Sequence, residues 1–302
     1  MKKLFVYPSA NDMIHDATEG LENTIPFCKA GIEKNFDVVT EPSEADYFFM
    51  GQVADKNVWQ LHPNRFEFFK GNEHRHIIDL EGDWRDYEHP EWLKDSLIIT
   101  GHARLDSVGV FNRRFVRPVI SPLLVRLVRN RPEYELPVKR GFWFQGQRDS
   151  RGLREKVRQA VALTGLPYDY KYNDRWGVFL DSGHSLVKEY LEKACIWSHA
   201  LCPVGEGPAC RYYEMALLGR PAVLIGDYEV FNERSVLSAY NFPIRIRTNE
   251  SLELIASKLK EIYDGHNEAN DISAAVAYGA ELQRYFDDPT TYYMNWLASQ
   301  SG

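Results

Sequence analysis

The chain has 302 residues, enough for one large domain or two ordinary ones, and its 44% hydrophobic, 13% aromatic and 26% charged residues are those of a folded protein. Its formal net charge of −7 argues against a general affinity for nucleic acid, whose phosphates are held mainly by Lys and Arg. Four cysteines without CxxC spacing read as free thiols rather than a disulfide framework, and no run approaches the ~18 uninterrupted apolar residues of a membrane span. The apolar run after Lys2 and Lys3 is too short for a signal-peptide core, so a cytoplasmic location is expected.

In chain order, LFVY (4–7), FDVV (36–39), DYFFM (46–50), HIIDL (76–80), SLIIT (96–100) and PVIS (118–121) are short apolar runs that read as buried strands. Glu22–Lys34 and Gln60–Lys70 read as helices, interrupted by Pro26 and Pro63. The alternation implies parallel sheets with helices on both faces. From Arg113 to Arg140 eight Lys/Arg face only Glu133 and Glu135, which makes either a solvated basic face or a local polyanion site. Asn130–Gly141 carries two prolines and no apolar periodicity, and marks a linker.

The pattern then restarts. GFWFQG (141–146) is a strand, and the helix near Arg151–Leu163 turns Leu153, Val157, Ala160 and Val161 to one face and stops at Gly165. A strand at Tyr168–Tyr172 and a helix at His184–Trp197 follow, the latter with Leu186, Val187, Tyr190, Leu191, Ala194 and Cys195 at helical spacing. HALCP (199–203) is a strand, a helix runs from Pro208 to Leu218, and PAVLIG (221–226) is the next strand, which closes a βαβ unit. FPIRIR (242–247) alternates like a strand, and Ser251–Tyr263 is a helix capped by Thr248 or Asn249. The last helix, Ile272–Phe286, ends before Pro289, and TTYYMNWLAS folds back. The expected domains are 1–135, 136–270, and a C-terminal helix and tail, 271–302, packed on the first.

PVGEGPACRYYEMALLGRPAVLIGD (203–227) carries the chemistry. A helix N-terminus beside a sheet's carboxyl edge attracts anions, and Gly205 and Gly207 would let a phosphate approach the backbone. Arg211 can pair with a pyrophosphate, and Glu214, on the same helical face, can accept hydrogen bonds from a ribose. The same spacing also suits an Arg–Glu surface pair on a scaffold helix. No GK[ST] follows, so this is not a P-loop, and Cys210 stands where GxGxxG would need its third glycine.

SHALCPVGEGPACRYYEMALLGRPAVLIGD (198–227) resembles the signature of exostosin-like glycosyltransferases, a Cys-Pro-x-Gly turn leading to an Arg-x-x-Glu-Ala-type helix and a strand that ends in Asp. EPSEADYFFMG (41–51) and RGFWFQGQRDSRGLREKVRQAV (140–161) are similar to two further segments of that family, in its order. The resemblance implies an α/β GT-B fold, with two Rossmann-like domains of parallel sheet facing across a cleft and the donor mainly in the C-terminal one. It further implies inverting, metal-independent transfer from a nucleotide-diphospho sugar, UDP-linked, with no other cofactor. Arg211 and Gly207 would hold the diphosphate, with Gly205 and Glu206 in the same loop, Arg148 as a second cation and Glu214 on the ribose. Asp227 would lie near the sugar or the cleft. Members usually carry a membrane anchor, and its absence here suggests a bacterial or viral cytoplasmic enzyme.

Inversion needs a general base on the acceptor hydroxyl. IIDLEGDWRD (77–86) offers Asp83 first and Glu81 second, and His102 is third. Each could instead cap a turn or end a strand in solvent. Asp79, Glu81 and Asp83 lie in no DxD context that would call for a metal, and the histidines of HRH (74–76) read as surface residues. Trp84, Trp143 and Trp176 could stack on sugar or base, with core packing as the default. The acceptor is a glycan or another hydroxyl compound. Two other readings stay open: a glycosyltransferase of phage type that modifies DNA bases through Arg113–Arg140, and a binding module that transfers nothing.

Overall fold

The computed structural model describes residues 1–8, 27, 29–54, 61–81, 90–100, 103–104, 113–118, 139–149, 151–173, 184–205, 210–231, 244–265 and 268–300. The chain divides into two units. One holds Met1–Pro118, Tyr228–Phe231 and Arg284–Gly302, and the other Val119–Asp227 and Asn232–Gln283. The first division falls ahead of residue 135, which lies, with all of 119–138, outside the described residues.

The first unit is built on a six-stranded sheet of order β2-β1-β3-β4-β5-β7. Its strands are β1 (Lys2–Val6), β2 (Phe36–Val39), β3 (Tyr47–Ala54), β4 (His76–Glu81), β5 (Leu97–Thr100) and β7 (Arg113–Val116), all paired in parallel. Parallel strands are buried on both faces, which is why LIIT and HIIDL are continuous apolar runs rather than alternating ones. Phe48, Met50, Ile78, Leu80 and Ile98 turn to one face with Phe66, Phe69 and Leu93. On the other, Phe49 stacks on Phe27, and Phe27 meets the edge of Tyr293 from α7 (Pro289–Ser299). A short antiparallel pair joins β6 (Ala103–Arg104) to β12 (Tyr228–Glu229).

The sixth strand of the sheet is Arg113–Val116, and the strand expected at 118–121 lies, beyond Pro118, outside the described residues. Two expectations are corrected in this unit. Within 60–70 the described residues form a 3₁₀ turn, Pro63–Arg65, and further turns rather than an α-helix, because Pro63 and the chain around it bend Phe66 and Phe69 into the core. His76 of HRH is fully buried. Its ring stacks 4.7 Å from Phe48, its Nε2 meets Tyr7 Oη at 2.9 Å and its Nδ1 meets the Asn72 carbonyl at 2.8 Å. The helix expected over 22–34 is described as α1 (Lys29–Asn35).

The second unit has a five-stranded parallel sheet of order β9-β8-β10-β11-β13. Its strands are β8 (Lys139–Gln147), β9 (Tyr168–Asn173), β10 (Trp197–Pro203), β11 (Ala222–Ile225) and β13 (Ile244–Ile246). Helices α2 (Leu153–Thr164), α3 (His184–Ile196) and α4 (Cys210–Leu217) connect β8, β9, β10 and β11 in turn, and α5 (Leu252–Asp264) and α6 (Glu268–Asp287) follow β13. Strand alternation sorts the two faces. Phe142, Phe144, Leu201 and Val223 pack with Val157, Val161, Ile255 and Leu259 of α2 and α5. Trp143 turns to the opposite face, where its ring meets the edge of Tyr190 of α3 at 5.1 Å. α5 is capped by Ser251, whose side chain accepts from Leu254 N, and not by Thr248 or Asn249.

The fold is thus α/β, with two Rossmann-like parallel-sheet units of the kind a GT-B chain is built from. Among the described residues, no helix is long and apolar enough to cross a membrane.

Candidate functional site

In the second sheet, β8 is followed by its neighbour on one side, β9, and the chain then crosses to β10 on the other. The connections therefore diverge at the carboxyl ends of β8 and β10. A crevice opens at such a switch point, and ligands of doubly wound sheets bind there. The residues that reach it are Gln145–Asp149 at the end of β8, Pro203–Gly205 at the end of β10, and the first turns of α2 and α4.

Arg211, in the first turn of α4, ties the two strand ends together. Its Nη2 donates to the Gln145 carbonyl, its Nη1 to the Leu201 carbonyl at 3.4 Å and its Nε to Tyr190 Oη at 3.2 Å. The guanidinium lies over the Phe144 ring, 4.5 Å from its centroid. Gly146 makes this approach possible, because a Cβ there would stand 2.9 Å from Arg211 Nη2 and 3.0 Å from Phe144. Glu214, 7% exposed, accepts from Tyr190 Oη at 2.5 Å. Burial raises the Glu214 carboxyl above its ordinary range, against the opposing pull of Tyr190 and Arg211. Tyr190 therefore joins Arg211 to Glu214, and the ribose ligand expected from spacing is engaged beneath the strand ends.

A second guanidinium stands beside the first, and sequence reading missed it. Arg154 lies in the first turn of α2, its guanidinium 5.8 Å from the centroid of the same Phe144 ring. Its Nη1 donates to the Gln147 carbonyl at 2.6 Å, while its buried Nε has no acceptor among the described residues. A Cβ on Gly205 would stand 2.6 Å from its Nη2, so this glycine is what lets the end of β10 lie against the arginine. Burial, and then the nearby charge of Arg211, lower the proton affinity of Arg154. The available signal was Asp149: its carboxylate accepts from the backbone N–H groups of Leu153 and Arg154 at 3.1 and 3.2 Å, which fixes the start of α2 and puts Arg154 at the strand end.

Arg148, at the end of β8, is exposed and lies 4.9 Å from the Tyr172 ring centroid. Asp227 accepts from Arg247 Nη1 and Thr248 N, both at 3.2 Å, and from Thr248 Oγ1, and so joins the ends of β11 and β13. Trp143 is fully buried, as the core reading expects. Glu206 and Gly207 lie outside the described residues, as do Trp84 and Trp176.

Of the candidate bases in the first unit, Asp83 and His102 lie outside the described residues, and Glu81 is described only as the last residue of β4. Asp79 is fully buried and pairs with Arg117 Nη1 at 3.0 Å, with Gln52 Nε2 at 3.3 Å. Burial raises its carboxyl. Within the basic segment, Arg117 is thus turned inward, Lys139 sits 4.1 Å over Trp197 and Arg140 sits 4.3 Å over Tyr263. Among the described residues, no three His, Cys, Asp or Glu side chains gather as a metal site.

Neither a protein-family model nor a curated protein sequence matches the chain. Among solved structures it is similar to the sucrose-phosphate synthase (tll1590) from Thermosynechococcus elongatus, at 11% identity over 99% of each chain with a TM-score of 0.45. It is also similar to AviGT4, a glycosyltransferase involved in avilamycin A biosynthesis, at 11% identity over 98% of each chain with a TM-score of 0.38. A third similar structure is UGT71G1 of Medicago truncatula complexed with UDP-glucose, at 11% identity over 89% of this chain and 80% of that one, with a TM-score of 0.29. Likenesses of this size assign this chain no activity and no ligand.

Proposed function

We propose that this chain is a glycosyltransferase of exostosin type, which moves a sugar from a UDP-linked donor to an acceptor hydroxyl with inversion and without a metal. One observation carries the reading: Arg154 and Arg211 share the Phe144 ring where β8 and β10 end, each against a glycine that leaves the backbone bare. The neighbouring acids are occupied, Glu214 by Tyr190 and Asp149 by the start of α2. A crevice rich in guanidinium with little free carboxylate suits a ligand with two or more negative charges.

In the reaction, a base removes the acceptor proton as its oxygen forms the bond to the anomeric carbon. The bond from that carbon to the diphosphate oxygen breaks on the opposite face, and the charge released spreads over the diphosphate. Arginines already aimed at the crevice would stabilise that charge without rearranging, a kind of contribution that reaches about 2.7–4 kcal/mol per donor. Asp83, Glu81 and His102 are the proposed sources of the base. A thermal-shift screen of nucleotide sugars with chelator present tests the reading. A UDP-sugar at ~100 times its Kd should stabilise the protein by about 2.7 kcal/mol. No shift with any nucleoside diphosphate or nucleotide sugar would overturn it.

A further inference from the structure

We infer that the two half-buried arginines divide the work: Arg154 is the direct anion ligand, and Arg211 is a positioning residue that forms the crevice floor with Tyr190 and Glu214. The inference rests on the proposed donor site but departs from the assignment that sequence alone suggests, in which Arg211 holds phosphate and Glu214 holds ribose.

The donors decide it. Each nitrogen of the Arg211 guanidinium has an acceptor within the unit: a carbonyl on β8, a carbonyl on β10 and the Tyr190 hydroxyl. A phosphate that took those donors would have to break the cross-tie between the strands that define the crevice. Tyr190 is fixed in turn, 2% exposed, its hydroxyl given to Glu214 at 2.5 Å and its ring held by the edge of Trp143. A buried carboxylate bonded in this way balances the Arg211 charge, which makes the floor close to neutral.

Arg154 has the opposite character. Its Nη1 donates to the Gln147 carbonyl, its buried Nε has no acceptor among the described residues, and its Nη2 lies against Gly205. Asp149, the nearest acid in its own turn, gives both oxygens to backbone N–H groups. Two guanidinium groups lie on one Phe144 ring, and only the Arg211 one is matched by a bonded carboxylate network. An anion beside Arg154 and Gly205 supplies the missing acceptor and relieves the like-charge contact.

The test is calorimetric titration of the full-length protein with inorganic pyrophosphate and, separately, with UDP, in chelator. Arg154→Ala should weaken pyrophosphate at least about tenfold at an unchanged thermal midpoint, and Arg154→Lys should recover part of the loss. Tyr190→Phe should lower the midpoint while pyrophosphate affinity stays within about threefold. Wild-type affinity in both Arg154 variants, or loss of pyrophosphate in Tyr190→Phe at an unchanged midpoint, would overturn the division. Should Arg154→Ala fail to fold, Arg154→Lys and protection of Arg154 from phenylglyoxal by pyrophosphate decide the question. Pyrophosphate bound through Arg154 without any nucleotide-sugar turnover would remove the transferase reading and leave the site. Binding of UDP without pyrophosphate would remove the division and leave the transferase reading, and binding of neither would remove both.

Discussion

At the residue scale, the second unit keeps three ionisable groups in low-dielectric contact: Arg211, Tyr190 and Glu214. Spacing placed Arg211 and Glu214 on one helical face, and that much was legible. Their partner was not, because Tyr190 comes from another helix, 24 residues earlier than Glu214, and local periodicity has no term for such a contact. Tyr190→Phe leaves a buried carboxylate and a guanidinium nitrogen without their shared hydroxyl, and should cost about 1–3 kcal/mol in chemical denaturation. His76 makes a pH prediction for the first unit. Burial, the largest influence, lowers its pKa to about 4, so the unfolded chain takes up the proton first. Stability from this group is complete above the ordinary histidine value near 6.5 and is lost as pH falls toward about 4, by about 3 kcal/mol in all. His76→Gln should flatten that part of the stability–pH curve; an unchanged slope would place its origin elsewhere.

At the element scale, strands with apolar runs could be read directly: HIIDL lies within β4, and SLIIT and PAVLIG contain β5 and β11. β7 could not, because it opens with Arg113 and Arg114 and has only Phe115 and Val116 buried. Edge position alone does not hide a strand, since FDVV marks the edge strand β2; what β7 lacks is an apolar run long enough to stand out. Arg154 was missed for a related reason. The apolar face of α2 is read from Leu153, Val157, Ala160 and Val161 alone, and only the sheet order shows that its first turn opens onto the switch point. Helix packing gives a further prediction. A Cβ on Gly279 of α6 would collide with the Ala216 carbonyl of α4, so the two backbones meet there. Gly279→Val should cost about 1–3 kcal/mol, read as a lower urea midpoint with the slope unchanged. Gly146→Ala should act on the crevice floor instead, because its methyl meets Arg211 and Phe144, and should lower the thermal midpoint while pyrophosphate affinity stays within about threefold.

At the scale of the whole molecule, two parallel-sheet units could be inferred from the alternation of strand and helix patterns alone. The tail 271–302 is expected to pack on the first domain, and Arg284–Gly302 belong to that unit. The excursion of Tyr228–Phe231 into it could not be read, because it is made by side-chain contacts with no local signature. Phe115 lies 4.3 Å from Tyr293 and 6.1 Å from Phe231, ring to ring, and Tyr47 Oη donates to the Leu297 carbonyl at 3.3 Å. Deleting 289–302 would strip Tyr293 and Leu297 from this core, each worth about 1.5–3 kcal/mol, and should lower the thermal midpoint of the first unit. The central claim is that the crevice of the second unit serves sugar transfer. Its most direct test is the release of free nucleoside diphosphate from a panel of nucleotide sugars, followed by chromatography in chelator with mixed hydroxyl acceptors. The account predicts release from a UDP-linked donor by the wild type, reduced at least about a hundredfold in Arg154→Ala. A protein that binds these donors yet releases no nucleoside diphosphate from any of them would contradict it.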